Sequence, residues 1–183
     1  MSAPTRYGNT AIALHWIAGL AILANLAFGL YMVDLPLSPA KLRYYSWHKW
    51  AGVAIFVLSA ARLAWRLRHP APALPDAMPA WQRRAAQASH HVLYALFFAA
   101  PLSGWLFSSA AGFQTVFLGI LPIPDLLAKN RELADVLKIV HRTITWSLAG
   151  VVALHVAAAI KHHVVDRDDV LSRMLPFIRP RSS

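Results

Sequence analysis

Nine histidines in a chain of 183 residues, 57% of them hydrophobic and only 14% charged, are the groups able to do chemistry. Imidazole inside an apolar segment is costly unless it is paired or bound to a metal, so each such histidine is a functional candidate. His141 and His155 are the informative pair. Fourteen residues at 3.6 per turn is just under four turns, so the two share one helix face about 21 Å apart along the axis. His15 and His48 lie in two earlier apolar segments, at opposite depths. Matching by depth sets His48 with His141 near the outer side of a bilayer and His15 with His155 near the inner side. Two bis-histidine sites stacked this way suit two b-type haems in a four-helix bundle. Zinc fits less well, because no carboxylate or thiolate lies within these segments and the ligands form two distant pairs. The blander alternative is that each histidine is separately buried or interfacial. It leaves the matched depths and the shared face unexplained.

Other residues gather around this pattern. Gly19 follows His15 by four residues and Gly52 follows His48 by four, so each faces the same way as its histidine. A missing side chain there lets a flat macrocycle approach the backbone, or equally permits close helix packing. Arg62 follows His48 by fourteen residues and reaches the inner end of the same face. It is placed either to pair with a propionate of the inner haem or to snorkel to the interface. His90, His91, His162 and His163 all fall on the inner side, where ligation, proton donation, quinone binding and simple interfacial placement remain open. His69, beside Pro70, reads as solvated loop.

The elements that must hold these residues are membrane spans. Tyr7–Val33 is a run of 27 residues without Asp, Glu, Lys or Arg, against the roughly 20 that a helix needs to cross. It reads as an anchor and not as a cleaved signal. Trp50–Ala61 extends to a full span if Arg62 and Arg66 snorkel. Ala85–Pro124 is broken by prolines and glycines into a span followed by an interfacial turn and short helix. Thr143–Ile160 makes the last span with its flanks. The expectation is an all-α integral membrane protein, one domain over 1–183, with helices near 8–33, 48–68, 88–110 and 139–165 and an interfacial segment near 113–128. No internal repeat is evident. Absence of cysteine excludes disulfides, thiolate metal sites and covalently attached haem. The formal charge of +10 lies between apolar runs, which points to a bilayer and away from nucleic acid. Eleven Lys and Arg fall on one side and seven on the other, which orients both termini to the cytoplasm of a bacterial inner membrane.

Several stretches in order along the chain carry a resemblance. They are Ala13–Trp16, Trp47–Gly52, Ala61–Arg66, His90–Trp105, Leu121–Leu127, Leu154–His163 and Asp166–Pro176. The pattern resembles the bacterial cytochrome b561 family of di-haem, four-helix membrane cytochromes, related to the cytochrome b subunits of nickel hydrogenases. The resemblance implies that His15, His48, His141 and His155 are the haem ligands. One type within the family oxidises superoxide and reduces ubiquinone, and its quinone site is carried over to His162. The bulky Lys49-Trp50 after His48 departs from that type.

Three functions follow as expectations. The first is a superoxide:ubiquinone oxidoreductase, with Lys41, Arg43, Lys49, Lys138 and Arg142 steering the anion to the outer haem. The second is a cytochrome b subunit joining the quinone pool to a partner dehydrogenase or hydrogenase; the absence of a large soluble extension favours a stand-alone protein instead. The third, a haem-free transporter or structural bundle, lacks the usual repeats and broken helices.

Overall fold

A computed structural model describes residues 6–75, 78–175 and 177–178. Four long helices dominate it: α1 (Asn9–Val33), α2 (Pro39–Arg68), α3 (Ala80–Ala110) and α4 (Arg131–Lys161). All four are long and apolar enough to cross a membrane. Between α3 and α4 stand two short strands, β1 (Thr115–Phe117) and β2 (Leu121–Ile123), and a π-helical turn over His162–Asp166 ends α4.

α2, α3 and α4 begin eight or nine residues earlier than the apolar runs suggest. Side-chain caps, and not hydropathy, set the starts of α2 and α4, while α3 begins after Pro79 without one. Ser38 accepts a hydrogen bond from the Lys41 amide and Pro39 occupies the first helical position. Asn130 accepts from the Leu133 amide and opens α4 among charged residues.

The segment after α3 is a β-hairpin, not the expected turn and short helix. Thr115 pairs with Ile123 and Phe117 with Leu121 in antiparallel register. Leu118 and Gly119 both take positive φ, at 54° and 73°, which reverses the chain tightly. Pro122 and Pro124 lack the amides a helix would need. We call this the hairpin end of the bundle and the opposite end, where α1 begins and α4 finishes, the terminal end.

The helices pack in chain order, α1 on α2, α2 on α3 and α3 most extensively on α4, while α1 and α2 approach α4 little. Leu93 and Ala100 of α3 join a buried cluster to which each helix gives one central residue: Ile22, Ile55, Phe97 and Leu148. Each lies seven residues from the chemistry-bearing positions on its own helix. Seven residues is two turns with a drift of about 20°, so every helix presents one seam inward at three depths. The seams read His15, Ile22, Gly29; His48, Ile55, Arg62; His90, Phe97, Gly104; and His141, Leu148, His155. Side chains away from the seams, such as Leu20, Val57 and Leu154, are exposed on the outside of the bundle.

Leu148→Ala should cost about 2–5 kcal/mol of stability, whereas Leu154→Ala should cost far less. Thermal unfolding of the purified protein distinguishes them; equal losses would contradict a core confined to the seams.

Candidate functional site

Two imidazole pairs face each other across helices that do not pack closely. At the hairpin end the His48 and His141 ring centroids are 6.4 Å apart. At the terminal end His15 and His155 are 6.2 Å apart. A metal about 2.0–2.1 Å from one nitrogen of each ring would lie about 3.2 Å from each centroid, so two imidazoles on opposite sides of it would need about 6.4 Å. Both pairs meet that requirement with neutral nitrogen donors and no carboxylate beside them.

The hairpin-end pair is set by backbone proximity. A Cβ on Gly29 would stand 3.0 Å from His48 Cε1, and one on Gly104 would stand 3.0 Å from His141 Cε1. Each ring therefore lies directly on a glycine of the neighbouring helix. Ser103 Oγ donates its only proton to the Ala100 carbonyl at 2.9 Å, so it accepts from His141 Nδ1–H at 3.0 Å. That bond fixes the tautomer and leaves the His141 Nε2 lone pair free for a metal. His48 Nδ1 and Asn25 Oδ1 are both buried without a partner, although Asn25 Nδ2 donates to the His48 carbonyl at 3.4 Å.

The terminal-end layer holds four polar residues, one from each helix. Arg62 Nη2 donates to His15 Nδ1 at 3.0 Å, and its guanidinium lies 5.2 Å from the centre of the Tyr94 ring. His90 stands edge-on to His155 with centroids 5.5 Å apart. Arginine can only donate, so the neutral His15 ring in this arrangement carries its proton on Nε2. A metal bound at Nε2 would compete with Arg62 for that ring's single lone pair.

The remaining candidates fall as follows. Gly19 and Gly52 face open space, with nothing within 4 Å of an added Cβ. His162 lies in the π-helical turn, seven residues beyond His155, and its Nδ1–H donates to Asp168 Oδ2 at 2.7 Å with Asp166 Oδ2 at 3.2 Å. His69 is more structured than a solvated loop residue. It stacks on Trp65 at 3.9 Å and donates to the Trp65 carbonyl. Lys41 and Lys49, expected to steer anions, are bonded to backbone carbonyls, of Val33 and Leu35 in one case and of Phe113 and Gln114 in the other.

Comparison with known proteins now has a geometry to meet. Residues 6–177 match the prokaryotic cytochrome b561 family. The chain belongs to that family. It is 35% identical over 182 residues to cytochrome b561 homolog 2 of Escherichia coli K12, covering 95% of this chain and 93% of the relative. It is 33% identical to cytochrome b561 homolog 1 of the same organism, covering 93% and 97%. It is 30% identical to a probable superoxide oxidase CybB of Yersinia pestis, covering 93% and 96%. As a cytochrome b561 it is a multi-pass membrane protein that binds haem b and transfers electrons.

Sequence reasoning overlooked Gly29, Gly104 and the place of His90. The signal was available: Gly29 follows His15 by fourteen residues and Gly104 follows His90 by fourteen, the spacing that already linked His141 to His155.

Gly29→Ala and Gly104→Ala should each push one imidazole aside by a few tenths of an ångström. Both variants should shift or weaken a low-spin haem signal in electron paramagnetic resonance. Identical spectra for wild type and variants would show that these glycines do not seat the rings.

Proposed function

We propose that this cytochrome b561 carries two haems b and passes electrons from superoxide at its hairpin end to ubiquinone at its terminal end. The observation that carries the reading is the two imidazole pairs, 6.4 Å and 6.2 Å between centroids, stacked fourteen residues apart on α4. His48 and His141 would hold one haem, and His15 and His155 the other. Gly19 and Gly52, with open space before them, face the macrocycles. The protein sits in the bacterial inner membrane with both termini cytoplasmic, as the Lys and Arg bias favours.

Haem held by these histidines would supply one-electron transfer between the two faces. The chain's own residues do the rest. At the hairpin end a cavity of about 310 Å³ is lined by Lys129, Arg131 and Lys138 with only Asp135 opposing them. Its positive field draws a small anion toward the His48–His141 pair and away from bulk solvent. At the terminal end Arg62 and Arg66 line a cleft with Trp65 and Tyr94 and no acidic residue. Arg62 there leaves His15 Nδ1 and holds a propionate. His162, with Nδ1–H on Asp168, would in its doubly protonated form donate Nε2–H to a quinone carbonyl, taking up a replacement proton from the cytoplasm. Two superoxide ions supply two electrons and leave as dioxygen; ubiquinone takes those electrons with two protons from inside.

The likeness to a probable superoxide oxidase supports the donor. A second reading, a cytochrome b subunit between the quinone pool and a partner dehydrogenase or hydrogenase, is favoured by the apolar hairpin tip, where Leu118, Ile120 and Leu121 are exposed. Haem reduction by quinol and not by superoxide would select it.

Stopped-flow mixing of the oxidised protein with superoxide decides between them. The haems should reduce at rates that fall with added salt, and Lys129→Gln with Lys138→Gln should slow the reaction several-fold at low salt only. No acceleration over spontaneous dismutation would remove superoxide as the donor.

A further inference from the structure

The β-hairpin is fastened to the bundle by side chains that all adjoin the His48–His141 site. Lys49, next to His48, donates through Nζ to the Phe113 carbonyl at 3.1 Å, the Gln114 carbonyl at 3.2 Å and Ser108 Oγ at 3.3 Å. Trp50 donates its indole N–H to the Val116 carbonyl at 2.6 Å. From α3, Trp105 follows Gly104 directly and donates to the Pro124 carbonyl at 3.0 Å. Ser108, one turn beyond Gly104, donates to the Phe113 carbonyl. Thr115, at the base of β1, is 5% exposed, so the hairpin is pressed against the helices and not merely tethered.

An ammonium with three oxygen partners, half withdrawn from water, is an expensive way to hold a loop unless its position matters. Here the two residues after one proposed ligand grip the chain entering β1 and β1 itself, and residues after Gly104 grip the other side of the hairpin. We propose that Lys49 and Trp50 form a latch that holds the 113–126 hairpin as a cap on the His48–His141 site and limits how closely a water-borne donor approaches the haem there. The inference rests on His48 and His141 being haem ligands. Lys49 would have a second effect if haem is held by the adjacent His48, because a fixed cation there would favour the ferrous state electrostatically.

The test uses the haem-loaded protein in detergent and the ferric low-spin resonance that disappears in His48→Ala. Relaxation of that resonance by a water-soluble nickel chelate reports how near solvent comes. Trp50→Phe keeps the ring and removes only the donor; it should at least double the relaxation enhancement, as should Lys49→Met. Lys49→Arg should restore the wild-type value, and the resonance of the second haem should not respond in any variant. Lys49→Met should also lower the midpoint potential of the capped haem, whereas Trp50→Phe should not. If Lys49→Met fails to retain haem, Trp50→Phe decides alone. Unchanged relaxation in Trp50→Phe would overturn the latch while leaving the ligand reading standing. If no resonance depends on His48, the ligand reading fails and takes the latch with it.

Discussion

Two pairs of imidazoles are held 6.2 Å and 6.4 Å apart, centre to centre, between helices that scarcely pack against one another. α4 supplies one partner to each pair, while α1 and α2 supply the others, and neither lies closely against α4. The spacing is therefore maintained from behind, by the α1–α2, α2–α3 and α3–α4 contacts and by the buried cluster centred on Ile22, Ile55, Phe97 and Leu148. This cluster can hold register because each helix repeats its inward position every seven residues, so a shift in one helix would disturb all three depths together.

The two ends use that frame differently. At the hairpin end, glycine meets imidazole twice with the same 3.0 Å approach, Gly29 to His48 and Gly104 to His141. The α1–α2 and α3–α4 hairpins thus match position for position: His15 with His90, Gly29 with Gly104, His48 with His141, and Arg62 with His155. At the terminal end the same correspondence sets Arg62 against His15 and His90 against His155. α2 packs on α3 while α1 and α4 stay apart, so the terminal-end pair lies on the open side. Arg62 stands where the matching position of α4 carries a histidine, which makes this layer cationic and suited to an anionic group. Closure of the two ends also differs: the hairpin covers one, and the chain after α4 covers the other, with Trp16 donating to the Met174 carbonyl and Arg173 to the Ala73 carbonyl.

Much of this is written in local spacing and was legible for that reason. The His141–His155 interval, the charge-free runs and the depth of His15 and His48 are all short-range patterns, and the structure brings the expected rings together. Three things were hidden. The early starts of α2 and α4 depend on Ser38 and Asn130 caps, which hydropathy does not register. The hairpin depends on Leu118 adopting a left-handed conformation that its residue type disfavours, and on long-range bonds from Lys49 and Trp50. The pairwise match of the helices was masked because the β-hairpin lengthens only the second connection and because Arg62 replaces a histidine.

Haem stoichiometry tests the central claim most directly. Pyridine haemochrome analysis of the purified protein, set against protein concentration from amino-acid analysis, should give two haems b per chain. One haem per chain, or none, would contradict the reading that both imidazole pairs are haem sites.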